Sequence, residues 1–134
     1  MRRSLIVVAL LALATAACGG NGDGAAETES VSRAKATRYF NNIDRLLDRA
    51  VAAHRQGNTE EAAELAGQAY LENFEFVEHD LEERNAQLKE ELEELMGPGF
   101  RQEIQRGMSQ EALEARVAEA KRLLEQAKTA LGVA

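Results

Sequence analysis

The stretch Ala69-Tyr70-Leu71-Glu72-Asn73-Phe74-Glu75-Phe76-Val77-Glu78-His79-Asp80-Leu81-Glu82 decides how this chain folds. Tyr70, Phe74, Val77 and Leu81 recur at steps of four, three and four, which is the spacing of an apolar face on an α-helix. Beside that face run Glu72, Glu75, Glu78 and Glu82, with His79 among them. Side chains three and four apart are neighbours on a helix, and like charges so placed repel by about a few tenths of a kcal/mol per pair. A helix that lines up its carboxylates in this way needs basic partners, open solvent or a cation.

The same helical pattern fills the rest of the chain from Val31 onward. Ser30 caps a first helix that runs to Gln56, with Tyr39 or Phe40, Ile43, Leu47, Ala50 and His54 facing inward and Leu46 and Val51 flanking. Gly57 stops it, and Asn58-Thr59-Glu60-Glu61 has the form of a capping box that starts the next. The second helix is expected over Thr59–Arg84. Asn85 breaks the pattern because asparagine prefers caps to helix interiors. A third helix follows through Leu88, Leu92, Leu95 and Met96, until Gly97-Pro98-Gly99 interrupts it. Phe100 to Arg106 forms a short piece, Gly107 ends it, and Ser109 caps a last helix with Leu113, Val117, Ala120, Leu124, Ala127 and Leu131 as its seam. Short turns between such helices lead us to expect an all-α, antiparallel up-and-down four-helix bundle over residues 31–134.

The start of the chain points to the cell envelope. Met1-Arg2-Arg3 precedes the apolar run Leu5–Leu13 and the small residues Ala14-Thr15-Ala16-Ala17. This is the order of a secretory signal, and the run is too short to span a bilayer as a helix. Cys18 is the only cysteine, so an internal disulfide is impossible. Its place after the small residues resembles the lipobox of bacterial lipoproteins, with Thr15 standing where leucine is usual. That resemblance implies a signal peptide over 1–17, lipidation of Cys18 and anchoring to the outer side of a membrane; the alternative is an ordinary cleaved signal. Residues 18–30 carry four glycines and no large apolar side chain. They read as a flexible tether with a span of roughly 20 Å.

Without Arg2 and Arg3, the 16 Lys and Arg fall by two against 23 Asp and Glu, and net charge moves from −7 to −9. So acidic a chain is a poor ligand for nucleic acid or anionic headgroups. It suits cations or a basic partner. No serine, cysteine or histidine constellation supports nucleophilic catalysis, and no glycine loop cradles phosphate, so enzymatic activity is not expected.

Two readings of the carboxylate face remain open at this point. In the first, Glu72, Glu75, Glu78 and Glu82 are solvated or pair with Arg38, Arg45 and Arg49 of the first helix. In the second they hold a metal: carboxylates suit hard cations, and an added imidazole admits iron, manganese or zinc. Glu75, Glu78, His79 and Glu82 are then the candidate ligands. The paired Glu-x-x-His motifs of ferritin-like bundles are missing, which disfavours a di-iron core. His54 reads as a cap or packing residue, and Lys89 with Glu90, Glu91, Glu93 and Glu94 as a solvated face.

The run Ala69-Tyr70, Phe74-Glu75, Val77-Glu78 and Leu81 resembles the extracytoplasmic helical domain that accompanies the high-affinity iron permease family of bacteria and archaea. Leu88 with Glu91 resembles that domain's next helix. Gly107-Met108-Ser109-Gln110-Glu111-Ala112-Leu113 resembles its turn into the final helix. The likeness covers about Thr59 to Leu131. It implies a lipid-anchored accessory domain that binds iron for uptake through Glu75 and Glu78, with Glu91 a weaker candidate and Tyr70 and Phe74 as core beside them. Its partner would be an iron permease or another envelope protein. Two departures stand out: Asn73 replaces a frequent glycine, and the family's membrane helices with their Arg-Glu-Gly-Leu-Glu motif are absent. The chain is therefore not expected to be a transporter itself. A metal-free helical module that docks another envelope protein is the alternative.

Overall fold

The computed structural model describes residues 30–133, and these are all-helical. The expected signal peptide, Cys18 and almost all of the expected tether lie outside the described residues.

Helix α1 spans Arg33–Arg55, α2 Thr59–Ala69, α3 Glu75–Met96, α4 Pro98–Gln105 and α5 Gln110–Leu131, with a π-helical turn Tyr70–Phe74 joining α2 to α3. Helix α1 lies against α2 and α5, α3 against α5, and α4 against α2. The core they share includes Phe40, Ile43, Leu47, Phe74, Leu81, Leu92, Met96, Phe100, Ile104, Leu113 and Leu124, all fully buried. Alanines fill the α1–α2 contact, with Ala50, Ala62, Ala63, Ala66 and Ala69 buried. Side chains this small bring helix axes close together. None of the described helices is long and apolar enough to cross a membrane.

The ends of the helices follow local chemistry. Helix α1 is capped by Ser32, whose Oγ accepts from the Lys35 N–H at 3.4 Å, so its cap is Ser32 and not the expected Ser30. Gly57 closes α1 at φ +82°, and Gly107 closes α4 at φ +98°, a backbone region that glycine enters without steric cost. The expected capping box at 58–61 does not form: the Asn58 side chain makes no cap bond, and its backbone N–H instead donates to Ala53 O. Ser109 does cap α5, accepting from Ala112 N–H at 3.2 Å. Pro98 starts α4 at its first position, where a missing N–H costs nothing. A Cβ on Gly97 would sit 2.4 Å from the Glu93 carbonyl oxygen, so only glycine fits that junction.

Two features shape the expected second and third helices, one at the expected break and one that the sequence reading lacks. The first is Asn85, which has φ −159° and ψ 83° inside α3. Its Oδ1 accepts from Leu88 N–H at 3.1 Å, so the side chain caps the second arm of the helix. In a straight helix Tyr70 and Glu93 would stand about 34 Å apart, yet the Tyr70 hydroxyl donates to Glu93 Oε1 at 3.3 Å. The arms on either side of Asn85 therefore fold back and lie side by side.

The second is the π turn, which the expected continuous helix Thr59–Arg84 lacks. Ala62, Ala66, Tyr70, Phe74, Val77 and Leu81 are all buried and cover 19 residue steps in five turns. Five α-helical turns hold about 18 residues. The surplus residue is taken up by one wide turn, in which the Glu75 N–H reaches back five residues to Tyr70 O. Asn73, the buried polar residue of this region, donates its amide to the Gln68 carbonyl at 3.0 Å.

Candidate cation site

The π turn and the Asn85 bend together build the site. Each residue step on an α-helix turns by about 100°. Along an unbroken α-helix, Glu75 would point about 140° away from Tyr70 and Glu78 about 80° away. Absorbing one residue in the wide turn reduces these angles to about 40° and about 20°. Tyr70, Glu75 and Glu78 thus come to one side of the first arm. The Asn85 bend then lays Lys89 and Glu93 of the second arm against them.

Within this cluster Lys89 Nζ pairs with Glu93 Oε2 at 2.9 Å, and their side chains are only 16% and 34% exposed. The other oxygen of Glu93 receives the Tyr70 hydroxyl. Glu78 is half-buried, and its Oε2 is buried without a hydrogen-bond partner. Burial pushes the Glu78 carboxyl above its ordinary pKa; Glu93 adds repulsion, Lys89 offsets part of it, and Glu75 and Glu82 add more. Burial also pushes the Tyr70 phenol up to about 12, with the charges of Glu78 and Glu93 next in weight. Tyr70 is therefore a neutral donor at physiological pH.

The structure brings only part of the expected ligand set together. Glu75 and Glu82 are exposed, but both act electrostatically on Glu78. His79 instead lies beside Glu83, Nε2 to Oε1 at 3.6 Å. Among the described residues no three His, Cys, Asp or Glu side chains form a ready-made metal cage. Nor does any ion pair there join Arg38, Arg45 or Arg49 to the glutamate stripe: Arg45 donates to Asn42, and Arg49 stands 4.0 Å from Glu61. Glu91 takes the amide of Gln87 on the same helix. His54 bonds Gln110 of α5 at 2.6 Å, in keeping with a packing role.

Lys89, Glu93 and the Tyr70 hydroxyl are the residues that sequence reasoning missed. Lys89 and Glu93 were expected on a solvated face and are instead half-buried. The signal for them is positional: Glu78 and Glu93 lie seven and eight residues from Asn85, so a fold-back there sets them level.

Replacing Glu78 by glutamine is expected to stabilise the domain. Loss of the half-buried charge and of the repulsion on it amounts to about 1 kcal/mol, or about 4–8 °C in Tm for a domain of this size. Folding raises the pKa of this carboxyl from 4.5, so the folded chain keeps a proton that the unfolded chain has released. Wild-type stability therefore falls as pH rises through that interval. Thermal melts of both proteins should differ most at neutral pH and converge as pH falls below 4.5.

No protein-family model matches the chain, and neither a curated protein nor a solved structure is found that matches it.

Proposed function

We propose that this chain is an extracytoplasmic accessory protein, lipid-anchored through Cys18, that binds a metal cation for uptake without transporting it. The single supporting observation is Glu78 Oε2, a buried carboxylate oxygen with no hydrogen-bond partner, whose group feels the charges of Glu93, Glu75 and Glu82, only partly offset by Lys89. A half-buried anion surrounded by like charges is a standing cost, and an incoming cation removes it. Carboxylate and phenol oxygens are hard donors, which suit iron, manganese, magnesium or calcium. Iron comes first among these through the resemblance to the permease-associated domain. Glu75 and Glu78 would hold the ion, with Glu93 added from the second arm. His79 and Glu82 remain outer candidates at the edge of the same face. The chain supplies part of a coordination sphere, and water or a partner completes it.

In this reading the helical arms form an antiparallel up-and-down four-helix bundle: α1, α2 with the first arm of α3, the second arm with α4, and α5. The tether carries it just off the membrane, within reach of a permease or another envelope protein.

Calorimetric titration of the full chain in detergent tests the metal reading, with ferrous iron under anaerobic conditions and ferric iron as a weak chelate. The expected result is saturable binding that weakens at least tenfold in a Glu75→Ala/Glu78→Ala variant. Equal, weak heats for both proteins would contradict it.

One observation favours the second reading, a metal-free docking module. Leu71 and Phe76 are large apolar side chains left 47% and 53% exposed. That reading predicts metal-independent stability and loss of partner binding on Leu71→Ser.

A further inference from the structure

We infer that Lys89 is a built-in competitor for the cation site, its ammonium paired with Glu93 and set in the field of Glu78, where an incoming metal ion must enter. The inference rests on the cation-binding reading above and concerns how that site is regulated.

Lys89 comes from the second arm, one turn before Glu93, and its side chain is largely buried. Its Nζ is 2.9 Å from Glu93 Oε2, and it feels the charges of Glu82 and Glu78 on the first arm. Glu93 cannot turn away freely, because its second oxygen accepts from Tyr70. One positive charge thus serves several carboxylates that would otherwise repel one another across the bend. Glu78 Oε2 is still left without a hydrogen-bond donor, so the ammonium compensates the cluster incompletely.

A metal ion entering this space meets the ammonium as well as the carboxylates. Two cations a few ångströms apart repel strongly in a partly buried site, so one must leave. The lysine stem is flexible and its head group is readily hydrated, so Lys89 can swing toward solvent when a stronger cation arrives. A monovalent ion gains no more from the carboxylates than the ammonium does. A divalent or trivalent ion gains more. The lysine therefore raises the threshold for binding and selects for higher charge.

An ordinary structural ion pair and a competitor predict opposite results when the lysine is removed. As a competitor, Lys89→Met makes the metal-free protein less stable and, at the same time, makes it bind metal more tightly. Calorimetric titration of the full chain in detergent with Fe²⁺ under anaerobic conditions, and with Mn²⁺ as a redox-stable probe, reads the affinity. Thermal melts without metal read the stability. The expected result is about a tenfold gain in affinity for Lys89→Met, a smaller gain for Lys89→Gln and no gain for Lys89→Arg, with a lower metal-free Tm in the first two. Saturable binding by the wild type with equal or weaker binding by Lys89→Met and Lys89→Gln overturns the competitor role and leaves metal binding standing. Absence of binding in every protein overturns both. Binding by the two neutral variants alone supports both.

Discussion

Phe74→Ala is expected to lower stability by about 3–5 kcal/mol, the range for emptying a buried aromatic site. The ring is fully buried within the π turn and lies 5.9 Å from Tyr70, centroid to centroid. It sits where the backbone is already widened by one residue, so the turn has few ways to collapse into the space. Phe76, two residues on, provides the comparison. It is 53% exposed and stacks on Tyr39 at 5.1 Å, so Phe76→Ala should cost about 1 kcal/mol or less. Urea unfolding followed by circular dichroism measures both. A large fall in midpoint for Phe74→Ala, with little change for Phe76→Ala, is the expected pattern. Equal losses would mean that the register after the π turn is different, and the placement of Glu75 and Glu78 would change with it.

Arg116→Ala is expected to cost about 2–4 kcal/mol, because it removes several charge-assisted hydrogen bonds from a partly buried junction. The guanidinium of this α5 residue donates Nε–H to Leu95 O and Nη2–H to Glu94 O, both at 2.8 Å. These carbonyls belong to the last turn of α3, where no helical N–H remains to satisfy them. The same side chain pairs with Glu103 of α4 at 2.7 Å and lies 4.8 Å over the Phe100 ring. One residue thereby ties α3, α4 and α5 together where the Gly97-Pro98-Gly99 sequence interrupts the chain. Lysine cannot reproduce the planar fork, so Arg116→Lys should recover less than half of the loss. Thermal melts would show this as a Tm drop of about 4–8 °C per kcal/mol. Wild-type stability in Arg116→Lys would contradict the account.

What the sequence revealed was what local chemistry controls. Gly57, Asn85, Gly107 and Ser109 act within a turn of their own positions, and each marks a boundary in the structure as expected. The seam of α5 was also legible; its Leu131 alone is only half-buried, at the helix end beside Gly132. The π turn was less accessible, because its signal is one surplus residue over five turns and shows only once the buried positions are known. The composition of the site was the least legible part. The glutamate face could be read along one helix, but Lys89 and Glu93 join it only through the fold-back at Asn85. Of the two readings left open, pairing of the glutamates with Arg38, Arg45 and Arg49 finds no ion pair among the described residues; Arg49 stands beside Glu61 of α2, the helix packed against it.

The fold therefore places a deprived carboxylate where two arms of one helix meet, and metal binding is its proposed use. Anomalous diffraction from crystals of the full chain soaked anaerobically in ferrous iron tests this most directly. The expected result is an iron peak bonded to Glu78 Oε2 and at least one of Glu75 and Glu93, with Lys89 displaced from Glu93. Ordered carboxylates with no peak, or Glu78 Oε2 bonded to a donor of the protein itself, would contradict it.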